Sequence, residues 1–135
     1  MDNTRALLDF LTTHEDVAWV RHPDLPDHPG YDIAKRLMPR GAGSIIAFGV
    51  KGGREAGRAF IEAVELSSHL ANVGDAKTLV IHPASTTHSH IDADAMKAGG
   101  LSDDMIRLSV GLEDVADIKA DFESGFKAAR RAAAE

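Results

Sequence analysis

Apolar positions recur along this chain with two periods, and the alternation between those periods outlines a fold. Leu7, Leu8 and Leu11 repeat at helical spacing behind Asn3 and Thr4, either of which can cap a first helix that ends near Thr12-Thr13. Val17-Ala18-Trp19-Val20-Arg21 is short, β-branched and aromatic, and is stopped by Pro23, the pattern of a strand. Three prolines and a glycine between His22 and Gly30 make a loop. Tyr31 to Met38 follows as a short helix with Ile33 and Leu37 four apart, broken by Pro39 and the Gly41-Ala42-Gly43 turn. Ser44 to Val50 is apolar on both faces, as a central strand covered on both sides should be. Gly52-Gly53 then turns the chain into a helix predicted from Arg54 to about His69. Its buried stripe is Ala56, Phe60, Ala63 and Val64, and Arg58 with Glu62 forms an exposed pair one turn apart.

Beyond it, Thr78 to Ile81 reads as a brief strand closed by Pro83. Asp92 is a natural N-cap for a helical turn that ends at Gly99-Gly100, and Ser102-Asp103-Asp104 has the composition of a second cap. Ile106 to Val110 alternates cleanly: Ile106, Leu108 and Val110 share one face, Arg107 and Ser109 the other. A last helix is expected from Asp114 to about Ala129, with Val115, Ile118, Phe122 and Phe126 as its stripe. Acids stand in its first turn, and Lys127, Arg130 and Arg131 at its end, as the helix dipole prefers. The order α-β-α-β-α-β-α-β-α predicts an α/β domain: a small sheet of about four strands with helices on one face. That layer leaves the second face of the sheet needing a partner, and Arg107 lies on it.

Composition narrows the chemistry. At 135 residues, 44% hydrophobic and 27% charged, the chain suits one ordinary domain, residues 1–135, without internal boundaries or repeats. The absence of cysteine removes disulfides, thiol catalysis, thiolate metal sites and iron–sulfur clusters. A net charge of −6 argues against nucleic acid as a partner. No apolar run approaches a membrane span, and Met1-Asp2-Asn3-Thr4 lacks the parts of a signal peptide, so no membrane is expected and a cytoplasmic location is.

Three features invite a chemical reading. His88-Ser89-His90-Ile91-Asp92 has an H-x-H-x-D spacing that could bring two imidazoles to one ion. The metallohydrolase version has a further histidine where Ala93 stands, and no metal site is assigned. Gly49, Gly52 and Gly53 lie between a strand and a helix but lack the phosphate-binding spacings, so they read as a tight turn. Arg107 is a guanidinium in mid-strand among apolar neighbours. That position is costly unless the side chain faces solvent or meets an anion, and a planar bidentate donor suits a carboxylate. No serine has a nucleophile motif around it, so spacing nominates an anion-binding arginine and no reaction centre.

Two stretches carry a resemblance. Leu70 to His88, with Asn72-Val73-Gly74-Asp75-Ala76-Lys77-Thr78-Leu79 at its heart, resembles the start of the C-terminal domain signature of the Cys/Met-metabolism family of pyridoxal-phosphate (PLP) enzymes. Ile106-Arg107-Leu108-Ser109-Val110-Gly111-Leu112-Glu113-Asp114 resembles that family's second segment, at family spacing. Within the family the wording is most similar to the O-acetylhomoserine sulfhydrylase branch.

The resemblance implies a small, mainly antiparallel sheet, as in the C-terminal domain of fold-type I PLP enzymes. It implies γ-replacement: O-acetylhomoserine and sulfide or a thiol give homocysteine or methionine. Arg107 then grips the substrate α-carboxylate, and Asn72 and Thr87 line the same pocket. His88 takes a local structural role. The cofactor in the full-length enzyme is pyridoxal phosphate, held by an N-terminal domain that this chain lacks. None of the six lysines (Lys35, Lys51, Lys77, Lys97, Lys119, Lys127) matches the cofactor lysine, so no catalytic and no cofactor-binding residue is assigned here. The expected partners are that N-terminal domain, the amino-acid substrate and, in the full-length enzyme, further copies of the chain. An alternative that the residues leave open is a stand-alone amino-acid-binding or regulatory module.

Overall fold

The computed structural model describes residues 1–86 and 90–135. Five helices and five strands follow one another as α1 (Asp2–Thr13), β1 (Val17–Arg21), α2 (Tyr31–Leu37), β2 (Ile45–Val50), α3 (Gly53–Ala63), β3 (Ser68–His69), β4 (Leu79–Ile81), α4 (Ala93–Ala98), β5 (Met105–Ser109) and α5 (Val115–Ala134). A single 3-10 turn, Pro83–Ser85, follows β4. The sheet order is β1-β2-β5-β4-β3, antiparallel except for the β3–β4 pair.

The expected mixed α/β architecture is present, with β5 rather than β2 at the centre. The fifth strand is the two-residue β3, too short to show a period in the sequence. It exists because α3 stops early. The Asp121 carboxylate of α5 accepts the backbone N–H groups of Glu65, Leu66 and Ser67 at 2.7, 3.1 and 2.8 Å. Those amides are thereby held by a neighbouring helix, and the chain leaves α3 at Val64 instead of running to His69. The stripe shifts accordingly: Ala56, Gly57, Phe60 and Ile61 are buried, while Ala63 and Val64 are half-buried.

Other local expectations also change. Asn3 and Thr4 lie inside α1, whose N-cap is Met1; Asn3 instead donates to the carbonyls of Gly111 and Glu113 at 3.1 and 2.8 Å, fastening α1 to the segment after β5. Ile33 and Leu37 point into solvent, and α2 buries only Ala34. Ser102-Asp103-Asp104 starts no helix and forms the turn that enters β5. Asp92 and Asp114 do cap α4 and α5, accepting the amides of Ala95 and Ala116, each at 2.8 Å.

The core lies between the sheet and α1, α3 and α5. Ile46, Phe48 and Val50 of β2, Val80 of β4, and Ile106 and Leu108 of β5 turn the same way and are fully buried against Leu7, Leu11, Phe60, Ile118, Phe122 and Phe126. Phe60 packs among three other rings, with centroids 5.7 Å from Phe48, 5.4 Å from Phe122 and 4.9 Å from Phe126. Gly125 makes this possible, because a Cβ there would stand 2.7 Å from the Phe60 ring. No helix among the described residues is long and apolar enough to cross a membrane.

Candidate anion-binding face

With Ile106 and Leu108 committed to the core, the pleat turns Arg107 and Ser109 to the opposite face. Arg107 pairs with Ala47 of β2 on one side and Ile81 of β4 on the other, so it stands in the middle of the middle strand. It is half-buried, and among the described residues it has no hydrogen-bond or ion-pair partner. Ser109 is 3% exposed, and its hydroxyl lacks a partner among the described residues. Much of this face is already covered by the chain, since Leu79, Ile81 and Met105 are buried. The broad open surface expected from a one-sided layer is thus reduced to the β1–β2–β5 portion around Arg107.

The other expected site residues are not gathered on Arg107. Asn72 lies exposed in the loop after β3, where its Oδ1 accepts the amide of Val73 at 2.8 Å, and no hydrogen bond links it to Arg107. Thr87 and His88 lie outside the described residues. His90 is exposed, and no group of three histidine, aspartate or glutamate side chains suited to a metal ion occurs among the described residues.

Three arrangements around Arg107 escaped the sequence reading. The first is Trp19, whose indole Nε1 donates to Asp104 at 3.0 Å across β2. Gly49 permits this, because a Cβ there would overlap both the indole and the Asp104 carboxylate. Arg21 sits with its guanidinium carbon 5.2 Å from the Trp19 ring centroid. The second is His82, fully buried at the end of β4. Its Nε2 lies 2.6 Å from the Asp103 carbonyl and its Nδ1 2.8 Å from Ser85 Oγ. The carbonyl can only accept, so Nε2 carries the proton and Nδ1 accepts from Ser85. Burial holds this imidazole's pKa below the ordinary histidine value; Arg54 adds to the depression, and the Asp103 carbonyl opposes it. Together Trp19 and His82 fix the Asp103-Asp104 turn from which β5 starts.

The third is Glu113. Its carboxylate accepts the Thr78 amide and the Thr78 hydroxyl, both at 2.7 Å, and the Thr78 hydroxyl accepts the Gly111 amide at 3.0 Å. Desolvation would raise this carboxyl's pKa, but the two bonds from Thr78, its own backbone amide and the charge of Lys77 together outweigh it, and the net shift is downward. Thr78 and Glu113 belong to the two segments that carry the family resemblance. In the folded chain the two segments are joined directly: one carboxylate ties the start of β4 to the exit of β5.

Comparison with known proteins decides the family. The profile of the "Cys/Met metabolism PLP-dependent enzyme" family matches residues 1–127. The chain belongs to this family. Over 91% of its length it is 48% identical to O-acetyl-L-homoserine sulfhydrylase 1 of Thermus thermophilus, covering 29% of that protein. It is 45% identical over 93% of its length to an L-methionine gamma-lyase of Fusobacterium nucleatum, covering 31% of it. Cystathionine gamma synthase of Xanthomonas oryzae pv. oryzae, solved with cystathionine, superposes with a TM-score of 0.86 at 34% identity, over 97% of this chain and 34% of that one. The chain thus spans about a third of the length of the relatives it matches.

Members of the family depend on PLP, which needs a lysine amine, an acid for its pyridine nitrogen and donors for its phosphate. The residues of this chain do not fit that group. Lys51, Lys77, Lys97 and Lys127 are exposed. Lys35 pairs with Asp24 at 3.4 Å with its side chain 47% exposed. Lys119 is half-buried and rests over the Phe10 ring at 5.8 Å. None stands in a closed pocket where a desolvated amine would be reactive.

Proposed function

We propose that this chain is the substrate-carboxylate-binding domain of an O-acetylhomoserine sulfhydrylase-type enzyme, with Arg107 as the grip. The full enzyme makes homocysteine or methionine from O-acetylhomoserine and sulfide or a thiol. The observation that carries the reading is the half-buried guanidinium at the centre of the sheet, turned away from the helices and unpaired among the described residues. A buried or half-buried arginine without an acid is held at a cost that a bound carboxylate offsets.

PLP supplies the electron-withdrawing chemistry of the family and is held outside this chain, in a domain that joins it. The contribution of Arg107 is to fix one end of the amino acid, so that the far end meets the reacting groups in a set orientation. Asn72 and Thr87 complete the pocket when that domain and the substrate are in place, Asn72 through its amide. Alone, the chain turns over no substrate. The similarity to enzymes of sulfur amino-acid synthesis supports a cytoplasmic setting, and the full-length enzyme assembles from several copies.

In the full-length enzyme Arg107→Ala raises KM for O-acetylhomoserine by about 10- to 100-fold, the loss of a charge-assisted bidentate contact, while kcat falls less. Arg107→Lys recovers part of the loss. An unchanged KM in Arg107→Ala overturns the assignment.

A further inference from the structure

At the edge of the sheet, β1 and the loop that follows it enclose a cavity of about 200 Å³. Arg21 and Asp27 both line it, together with Trp19, His28 and Pro29, and Arg107 does not. Among the described residues neither charged side chain forms an ion pair, with the other or with a third group. The walls are fixed from outside the cavity. Trp19 is held by its bond to Asp104 at 3.0 Å, and the Arg21 guanidinium lies 5.2 Å from the indole centroid, which limits its swing and leaves its N–H edge open. The loop is pinned by buried His22, whose Nδ1 accepts the Asp24 amide at 3.1 Å and whose Nε2 lies 3.1 Å from the Gly43 carbonyl. Along it the amides of Leu25, His28 and Tyr31 each donate to the carbonyl three residues back at 3.0 Å. His28 Nδ1 accepts the Gly30 amide at 2.9 Å, so the neutral ring carries its proton on Nε2, which has no partner among the described residues. A cavity held in this way needs little ordering when a ligand enters.

A cation and an anion that line one small cavity without closing on each other select against singly charged ligands. An anion drawn to Arg21 meets Asp27, and a cation drawn to Asp27 meets Arg21. A molecule that carries both charges satisfies both groups. The volume lies below the roughly 300–1,000 Å³ of sites for drug-sized ligands, so the occupant is small. The Trp19 ring and Pro29 offer apolar surface to the rest of it. We propose that this cavity binds a free α-amino acid with a short uncharged side chain, its carboxylate on Arg21 and its ammonium on Asp27. The His28 Nε2–H is a second donor for the carboxylate. This site goes beyond the grip assigned to Arg107 and does not rest on it.

Trp19 is the single tryptophan of the chain, so its fluorescence and its indole N–H resonance report on this cavity. The 135-residue chain is titrated with L-methionine, with N-acetyl-L-methionine, which lacks the ammonium, and with L-methioninamide, which lacks the carboxylate. Methionine binds saturably and about tenfold more tightly than either analogue, the loss of one charged contact in each case. Arg21→Gln weakens methionine about tenfold and tightens methioninamide, whose lone positive charge no longer meets a cation. Asp27→Asn does the converse, weakening methionine and tightening N-acetylmethionine. A merely structural role for either residue would not exchange the preferences in this way. Both side chains are exposed, so the variants keep the fold, and unchanged backbone amide shifts outside residues 17–30 verify this. No saturable response to methionine, equal affinity for the three compounds, or methionine affinity unchanged in both variants overturns the site. A response that persists in Arg21→Gln and vanishes in Arg107→Gln also overturns it, and assigns methionine to the Arg107 grip, which then stands.

Discussion

The two faces of the sheet are built from alternate residues of the same strands, yet they obey opposite rules. On the helix side Phe48, Ile106 and Leu108 interlock with Phe60, Phe122 and Phe126, and every side chain has neighbours to fill its space. On the other side the same strands present Arg21, Ala47, Gly49 and Arg107, a mixture of guanidinium groups and missing volume. Packing explains the first set completely. It explains nothing about the second, where charge is placed without a partner among the described residues and the side chains between are small. A stretch that folding does not require is where a ligand-binding role is most economically sought, because natural sequences depart from local consistency mainly at functional sites.

The contrast can be broken hardest on the helix side. Phe60→Ala empties a fully buried place in the aromatic cluster and costs about 3–5 kcal/mol, read as a fall in the urea midpoint. A loss below about 1 kcal/mol would mean that the cluster is not the core's keystone.

An intermediate effect comes from His82, which joins the two faces by holding the turn that starts β5. Its pKa is lower in the folded state than in the unfolded chain, so the unfolded chain binds the extra proton first. Stability is therefore full above about pH 6.5 and declines as pH falls below it, until the folded-state value is passed. The slope from this one group is at most about 1.4 kcal/mol per pH unit. Urea midpoints from pH 7.5 to 5 should show the decline, and His82→Gln should flatten it; an equal decline in that variant would place the proton elsewhere.

The smallest effect on stability belongs to the opposite face. Arg107→Gln changes the unfolding free energy by less than about 0.5 kcal/mol, since it breaks no bond to the described residues. Thermal melts of the two proteins should superpose while anion binding is lost. A marked destabilisation would show that Arg107 serves the fold, and the contrast between the faces would fail.

Much of this was readable along the chain. The alternation around Arg107 placed it opposite Ile106 and Leu108 correctly, because a strand's period of two leaves no other choice once the apolar set is buried. The motifs around Asn72 and Arg107 pointed to the family, and the match over residues 1–127 bears that out. The capping aspartates of α4 and α5 were equally legible, since a cap acts within a few residues of itself. The early end of α3 was not, because the group that stops it, Asp121, lies 54 residues beyond the Ser67 amide it receives. Nor was the indole bridge from Trp19 to Asp104, 85 residues apart.

Local periodicity and local capping, then, determined the order of every element but β3, the two faces of β5, and that Arg107 turns away from the core. These depend on contacts no farther than a helical turn or a strand pleat. The tertiary structure decided what those faces meet. It brought Arg21 onto the rung of Arg107 through a register set between β1, β2 and β5. It turned Glu113 from a motif letter into the acceptor for Thr78, and it gave His82 and Asp121 their partners. Such pairings depend on distances between segments remote in sequence, and only the packed sheet and helices fix those distances.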